Sequence, residues 1–413
     1  MKEFIKSSID QTPIEDNVFK IVSLANEDIA KIGKENVING TIGALYDEQG
    51  QLVALDSVFD TYNHIENNQK AKYAASFRGN DNFRQQVLKW VSQGSELNLA
   101  SSVIATPGGS GAVSSTIINT LDAHETLILP SIAWGSYKLM AGIENINVTT
   151  YEMFDGDHFN LNNFKEVCQK VMDQQGKVVV VINDPCHNPT GYSMSHDEWQ
   201  EVIAIANELS SKGPFVILND IAYIDYSYQL EKSRTYMNYF NDISDNVMVV
   251  VAFSCSKTLT SYGLRCGAAV VLAKQKESVR QMEIVLEKHA RANWSNIPNA
   301  AMENFVRVTT QHLDSFLKEK NKYVQLLKER SSIFTQEADA CGLQYYPYKE
   351  GFFVTLKIED NQLLSQFHET LMDHHIYTVK VNKGIRVGIC SLSVANCKGL
   401  AKKMKDILDQ CQN

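Results

Sequence analysis

The sequence predicts an α/β fold in which a mainly parallel, seven-stranded sheet is sandwiched by helices and joined to a smaller α/β domain. The first observation is alternation, because strand-like apolar runs are separated by helical stretches such as 197–209. The second is a change of pattern. After Pro298 a long helical pattern runs to about residue 340, and two further strand-like runs follow it.

The strand-like runs of the main sheet are short and rich in Val, Ile and Leu, which is typical of strands buried on both faces. The last of them, 268–272, is expected to add an antiparallel neighbour. The runs lie near Val103 and at 126–129, 148–151, 178–182, 215–218, 247–253 and 268–272, and those of the second unit lie at 351–358 and 385–389.

Polar side chains follow three of these runs, at the point where each predicted strand ends. Asn188 follows the first of the three, and Asp220 and Tyr223 follow the second. Lys257 and Arg265 follow the third. Open α/β sheets bind ligands at the carboxyl ends of their strands. The five side chains are therefore predicted to share one site.

Two of these residue types match the chemistry of pyridoxal phosphate. A lysine amine such as that of Lys257 condenses with an aldehyde, and a carboxylate such as Asp220 keeps a pyridine nitrogen protonated, so that the ring draws electrons. Tyr223 and Asn188 carry a hydroxyl and an amide that could bond the 3-oxygen of the ring. The competing interpretation makes Asp220 and Arg265 an interdomain ion pair, with Tyr223 in the core and Asn188 in a turn. The full set in this order favours the cofactor.

A phosphate-binding site is predicted beside Lys257. Arg265, Ser254 and Ser256 carry suitable donors. The Gly-rich turn at 105–112 precedes an apolar helical stretch at 113–121, and free amides at a helix N-terminus bind anions. Glycine richness alone is a weak signal, and a phosphate site is predicted here only in combination with the Lys257 motif.

At these motifs the sequence resembles the class I aminotransferases of the fold-type I pyridoxal-phosphate enzymes, close to the aspartate and aromatic aminotransferase branch. The resemblance covers most of the chain. It includes Ile42-Gly43, Gly108 to Ser110, Trp134, Cys186 to Gly191, Asp220 with Tyr223, Lys257 with Arg265, Arg291 to Asn296, and Arg386.

The resemblance implies a role for each matched residue. Lys257 would carry the cofactor and move the substrate proton, Asp220 would contact the pyridine nitrogen, and Tyr223 would assist them. Arg386 would grip the substrate α-carboxylate as a two-pronged fork, for which arginine suits better than lysine. The remaining cofactor-binding residues would be Gly109, Ser110, Trp134, which stacks on the ring, Asn188, Ser254 and Arg265, and the remaining substrate-binding residues would be Gly43, Asn188 and Trp134.

Two further matched residues would reach the site from a partner subunit, so the resemblance implies a homodimer with shared active sites. Tyr73 would contact the partner's cofactor phosphate, although Ala74 is an alternative because the spacing from Tyr73 to Gly79 is one residue longer than the family pattern. Arg291 would bind a side-chain carboxylate of the substrate. One departure is Tyr137, where the aspartate branch usually has histidine.

The resemblance also implies the domain organisation. A large cofactor-binding domain is expected at 50–315, and a discontinuous small domain at 1–49 and 316–413. In this arrangement Arg386 lies on the small domain and Lys257 on the large one, so substrate capture could draw the two together.

Composition excludes several classes of partner. The formal net charge of -9 and the absence of a Lys/Arg block argue against nucleic acid. No apolar run is long enough to span a membrane, and the first residues lack a signal-peptide core, so a cytoplasmic protein is expected.

Cysteine usage indicates reduced thiols and no metal site, because the eight cysteines are scattered without a CxxC pair. Cys186 and His187 could be interpreted as a nucleophile pair. The preferred interpretation is an inert thiol, since a cysteine beside a buried strand is usually unreactive.

The function predicted from the resemblance is an amino-acid:2-oxoacid aminotransferase with ping-pong kinetics. Arg291 favours acidic donors with 2-oxoglutarate, and aromatic donors are a second possibility. A β-lyase or decarboxylase on the same fold is the enzymatic alternative. A non-catalytic cofactor-binding regulator is the alternative from another class.

Overall fold

The computed structural model describes residues 4–5, 12–13 and 17–412, with only the backbone for 17–19. The strands of the described residues are β1 Ile38–Asn39, β2 Ala100–Pro107, β3 Thr126–Pro130, β4 Asn147–Tyr151, β5 Phe154–Asp155, β6 His158–Phe159, β7 Val178–Asn183, β8 Phe215–Asp220, β9 Val247–Ser254, β10 Cys266–Ala273, β11 Phe353–Lys357, β12 Ile376–Tyr377, β13 Val379–Val381 and β14 Gly384–Gly388.

The α-helices of the same residues are α1 Asn17–Ile32, α2 Asp56–Asn63, α3 Asn67–Ala71, α4 Asp81–Val91, α5 Gly108–Thr120, α6 Ser136–Gly142, α7 Leu161–Gln175, α8 His196–Leu209, α9 Cys255–Thr258, α10 Lys276–Asn293, α11 Asn299–Thr310, α12 Leu313–Cys341, α13 Asn361–Asp373, α14 Val394–Cys397 and α15 Leu400–Gln412. Short 3-10 helices lie at Lys34–Asn36, Ile224–Tyr226, Thr235–Asp242, Tyr262–Leu264 and Ile389–Ser391.

The central sheet has seven strands in the order β2-β10-β9-β8-β7-β3-β4. Only β10 runs antiparallel to its neighbours, and the other adjacent pairs are parallel. The predicted fold class and the antiparallel strand at 268–272 are both confirmed.

The middle of the sheet is buried on both faces. Every residue of β7, β8 and β10 is buried. This explains why these strands are apolar runs rather than alternating ones, with polar residues only at the ends of β7 and β8. One apolar core lies on each side, with Val180 and Ile217 in the first and Val179 and Leu218 in the second. Parallel β7, β8 and β9 therefore end at the same edge, as the site prediction requires.

The long helical pattern predicted after Pro298 is two helices rather than one. The amides of Gln311 and His312 both donate to the carbonyl oxygen of Arg307, which ends α11 before α12 begins. No proline or glycine marks this break, so the apolar periodicity could not reveal it.

A second, smaller unit surrounds the three-stranded antiparallel sheet β11-β14-β13. Strand β1, from the start of the chain, pairs in parallel with β12. The first residues of the predicted discontinuous domain, 1–3, 6–11 and 14–16, lie outside the described residues. Within the described part of the chain, no helix combines the length and apolar character needed to cross a membrane.

Candidate active site

Lys257 lies one turn beyond the end of β9. The Ser254 hydroxyl caps the short helix α9 by accepting a hydrogen bond from the Ser256 amide. The Lys257 Nζ donates to the Gly43 carbonyl oxygen at 2.5 Å and lies 4.8 Å from the Tyr262 ring centroid. Burial lowers the pKa of Lys257 to about 8, and the positive charges of Arg386 and Arg265 act in the same direction. The amine is therefore a better nucleophile and base near neutral pH than an ordinary lysine.

This lowered pKa predicts an unusual pH dependence of reactivity. In cofactor-free protein, the rate at which an amine-directed arylating reagent modifies Lys257 should rise with pH and level off above about 8, because only the neutral amine reacts. A lysine in a short model peptide should level off at a pH of about 10.4. Peptide mapping by mass spectrometry gives the rate at Lys257, and a Lys257 profile that matches the model peptide would contradict the prediction.

Asp220 is the last residue of β8 and is buried. Its Oδ1 accepts a hydrogen bond from the Ala222 amide at 3.0 Å, and its Oδ2 accepts one from the Tyr137 hydroxyl at 2.7 Å. Burial raises the pKa of Asp220, and these two donors oppose that shift. Asn183 fixes the backbone, because its Nδ2 donates to the Asp220 carbonyl while its Oδ1 accepts from the Asn188 amide. Asn183 therefore ties the ends of β7 and β8 together.

The predicted phosphate site is a cradle of donors with no room for extra side-chain atoms. Gly108 has a φ of 73°, and a Cβ there would lie 2.5 Å from Nη2 of Arg265. A Cβ on Gly109 would lie 3.0 Å from the Ser254 Cβ. The Arg265 Nη1 donates to the Ser256 hydroxyl at 3.0 Å, which holds the guanidinium across the start of α5. Hydroxyls, a guanidinium and helix amides suit a phosphate group.

Arg386 lies on β14 and is buried. Its Nη2 donates to the Thr41 carbonyl at 2.8 Å, and its Nη1 lies 3.5 Å from Asn188 Oδ1. The buried Nε has no hydrogen-bond partner among the described residues. The guanidinium also lies 4.5 Å from the Phe353 ring centroid. A buried, unpartnered guanidinium donor indicates a site for an anion.

One cavity of about 760 Å³ brings most of the predicted site residues together, a size suited to a cofactor and a small substrate. The predicted residues that line it are Gly43, Gly109, Ser110, Trp134, Asn188, Asp220, Tyr223, Ser254, Ser256, Lys257, Arg265 and Arg386. Two of the predicted site residues, Tyr73 and Arg291, do not line this cavity of the single chain.

Tyr73 and Arg291 lie on the surface, in two segments that contact each other. Tyr73 is 83% exposed, whereas Ala74 is half-buried against the core, so Tyr73 is the residue free to reach elsewhere. Arg291 is exposed, with its guanidinium 4.8 Å from the Phe77 ring centroid. The Asn296 Nδ2 donates to the Ser76 carbonyl at 3.2 Å, which joins the two segments.

The structure adds cavity residues to which the sequence analysis gave no role. Tyr262 lies five positions after Lys257, and its ring faces the lysine amine. The backbone amide of Leu45 donates a hydrogen bond to the Tyr262 hydroxyl at 3.0 Å. The closeness of Tyr262 to Lys257 in the sequence is a signal from which its place in the site could be predicted. Phe353 and the segment 379–382 of the small sheet also line the cavity, and no chemical feature of their sequence marks them.

The pair Cys186 and His187 does not form a nucleophile and base. The His187 Nδ1 is 2.8 Å from the Thr190 hydroxyl, and burial lowers the pKa of His187 to about 3. Burial also raises the pKa of Cys186 well above its usual range. A protonated thiol beside a neutral imidazole in the core fits the preferred interpretation of an inert cysteine.

Residues 35–404 match the family described as aminotransferase class I and II, and the chain belongs to this family. An aspartate aminotransferase from Salmonella typhi is 26% identical over 266 residues, which is 63% of this chain and 65% of that protein. The chain thus aligns with just under two thirds of that relative's length. An aromatic-amino-acid aminotransferase from Escherichia coli is 22% identical over 74% of this chain and 75% of its own length.

Solved structures show the same similarity. An aminotransferase from Anaerococcus prevotii is 31% identical and superposes with a TM-score of 0.95, covering 98% of this chain and 99% of its own. An aromatic-amino-acid aminotransferase from Burkholderia pseudomallei, covalently bound to pyridoxal phosphate, is 19% identical with a TM-score of 0.78 over 99% of this chain and 100% of its own.

Pyridoxal phosphate is the cofactor of this family, and the residues present fit it. The glycine cradle leaves space that a Cβ would fill, the phosphate donors surround that space, and a reactive amine and a buried carboxylate line the same cavity. Lys257 would hold the aldehyde end, Asp220 the ring nitrogen, and Arg265 with Ser254 the phosphate.

Proposed function

We propose that the protein is an amino-acid:2-oxoacid aminotransferase that works by a ping-pong exchange. The observation that carries this proposal is the pairing, in one cavity, of a half-buried amine of lowered pKa with a buried guanidinium whose Nε is unpartnered among the described residues. The amine suits proton transfer at a substrate α-carbon, and the guanidinium suits the α-carboxylate that all amino acids share.

Each residue of the cavity has a defined task in this proposal. When bound, pyridoxal phosphate supplies an aldehyde that takes up an amino group and a ring that draws electrons from the substrate. Arg386 orients the α-carboxylate, and Lys257 Nζ moves the proton at the α-carbon. Asp220 holds a positive charge on the ring nitrogen, which an opposite charge at contact distance favours. The side-chain amide of Asn188 and the hydroxyl of Tyr223 would bind the 3-oxygen of the cofactor ring.

We also propose a homodimer that uses acidic amino acids, with glutamate and 2-oxoglutarate as one substrate pair and aromatic amino acids as further donors. Tyr73 and Arg291 support it, because both are exposed on adjoining segments outside the cavity of their own chain. In a dimer, Tyr73 would contact the partner's cofactor phosphate, and Arg291 would meet a substrate side-chain carboxylate held in the other subunit.

The proposed domains are 50–315 and the discontinuous unit 1–49 with 316–413. The pairing of β1 with β12 and the bond from Arg386 to the Thr41 carbonyl support the link between the chain ends. A cytoplasmic location is proposed because all eight cysteines are free thiols, which suits a reducing compartment.

Half-reaction spectra test the proposed function. Purified protein should be yellow, and a donor amino acid added without an oxoacid should convert the cofactor spectrum to that of its aminated form, with one oxoacid released per site. Addition of 2-oxoglutarate should restore the first spectrum. Release of carbon dioxide, or of pyruvate and ammonia, would favour a decarboxylase or a β-lyase, and a spectrum that no donor changes would favour a non-catalytic binding protein.

Replacing Arg291 with leucine should affect acidic substrates alone. Its loss deletes one charge-assisted pair worth about 1.5–3 kcal/mol, so kcat/KM for aspartate or glutamate should fall roughly ten- to a hundredfold or more. Aromatic donors should be unaffected or improve. Equal losses for acidic and aromatic donors would mean that Arg291 is structural.

Mixed dimers test whether Arg291 acts across the interface. An Arg291→Leu chain paired with a Lys257→Ala chain contains one site with an intact Lys257 and an Arg291 from its neighbour. That site should use acidic donors with wild-type kcat/KM. Loss of acidic activity in the mixed dimer would place Arg291 in the same subunit as its Lys257.

A further inference from the structure

Tyr137 has no task in the chemistry described above, yet it contacts two groups assigned to the cofactor ring. It lies on α6 with 1% exposure, and its hydroxyl donates to Asp220 Oδ2 at 2.7 Å. Its ring meets Trp134 edge to face, with centroids 5.3 Å apart and planes at 85°. One side chain therefore contacts both the carboxylate proposed for the ring nitrogen and the indole proposed for the ring face.

The hydrogen bond from Tyr137 has a definite direction. Burial raises the pKa of the Tyr137 phenol well above its usual range, and the nearby Asp220 charge adds to this shift. The hydroxyl therefore stays protonated and acts as the donor, while Asp220 accepts. A donor to a carboxylate favours its ionised form, and so opposes the effect of burial on Asp220. The Ala222 amide donates to the other carboxylate oxygen, so Tyr137 supplies one of two fixed donors.

The backbone of Tyr137 is also fixed relative to Trp134. The Tyr137 amide donates to the Trp134 carbonyl at 3.2 Å, in the turn that starts α6. A shift of Tyr137 would therefore move both the indole and the carboxylate oxygen that it contacts.

We propose that Tyr137 is a positioning residue that keeps Asp220 ionised and correctly placed for the protonated ring nitrogen, and that sets the angle of Trp134. This proposal rests on the proposed function, because it needs pyridoxal phosphate in the cavity. Tyr137 acts through Asp220 and Trp134.

Tyr137→Phe isolates the hydroxyl, because the ring that contacts Trp134 is retained. Tyr236→Phe is the matched control. Tyr236 is also a buried tyrosine, and its hydroxyl donates at 2.7 Å to Oδ1 of Asn219, the residue before Asp220 in β8. Asn219 and Tyr236 do not line the cavity. Both variants lose one buried tyrosine hydroxyl, so thermal unfolding of the two measures the structural cost alone.

The dissociation constant of pyridoxal phosphate is the first measurement, made by titrating cofactor-free protein. It should rise about tenfold in Tyr137→Phe, since one hydrogen bond to a charged group contributes on the order of that factor, and should be unchanged in Tyr236→Phe. The second measurement is the ¹⁵N NMR signal of ring-labelled cofactor bound to each protein. In Tyr137→Phe alone, the signal should shift toward the unprotonated value, because the less stabilised carboxylate takes more of the shared proton.

A rise in the dissociation constant that Tyr236→Phe shares, an unchanged affinity in Tyr137→Phe, or an unshifted nitrogen signal would overturn the role of Tyr137. Failure of wild-type protein to bind the cofactor would instead overturn the proposed function. The two failures are thereby distinguished without a measurement of turnover.

Discussion

Replacing Lys257 with alanine should abolish amino-group transfer while cofactor binding is only weakened. The amine is the base of the proposed mechanism, and loss of general-base catalysis alone lowers rates by about 10²–10⁴-fold. Its role as the attachment point adds to this, so turnover should fall below detection. The phosphate donors, Arg265 and Ser254, are untouched, so the cofactor should still bind non-covalently. Single-turnover kinetics and equilibrium dialysis measure the two effects.

Lys320 provides a control for the attachment site. It is more fully buried than Lys257, and burial lowers the pKa of each lysine to about 8. It contacts Asp225 rather than the cavity, with Nζ 3.7 Å from Oδ2. Borohydride reduction of wild-type protein should fix the cofactor to a peptide with Lys257 and leave Lys320 unmodified. Attachment at Lys320, or at any other lysine, would contradict the assignment.

The comparison of these two lysines shows what the sequence can and cannot specify. Lys257 was identified because it follows a buried strand, and parallel strands that end at one edge bring their following residues together whatever the details of packing. The same logic predicts that Asp220 and Asn188 lie near Lys257, and both line the same cavity. Lys320 lies within α12, and nothing in the local sequence predicts that this lysine is buried.

Contacts between segments that are distant in the chain could not be predicted from the sequence. Tyr137 and Asp220 are 83 positions apart, and their hydrogen bond depends on how α6 packs against the end of β8. The cavity residues 379–382 depend on how the small sheet packs against the large one. The positions of Tyr73 and Arg291 outside the cavity depend on the fold of each chain, and their proposed task depends on a second copy.

The role of Arg386 was predicted from the family resemblance rather than from its position after a strand. The structure gives the physical reason why an arginine suits this position. It lies buried among Thr41, Asn188 and Phe353, where a positive charge without an anionic partner is costly. Burial indeed lowers the pKa of Arg386, although a guanidinium stays protonated under ordinary conditions. A substrate carboxylate would provide the missing charge and bind the free Nε.

Replacing Arg386 with leucine should therefore impair every amino acid, whatever its side chain. Two charge-assisted hydrogen bonds would be lost, each worth about 1.5–3 kcal/mol, so kcat/KM should fall roughly 10²–10⁴-fold for acidic and aromatic donors alike. Arg386→Lys is the matched variant, since it retains the charge and loses the planar fork, and it should recover only part of the loss. Cofactor affinity should change far less than kcat/KM in both variants, because Arg386 contacts neither the phosphate donors nor Asp220 and reaches the cofactor-binding residues only through Asn188. Half-reaction rates with a panel of donors measure the effect, and a loss confined to acidic donors would assign the α-carboxylate to another residue.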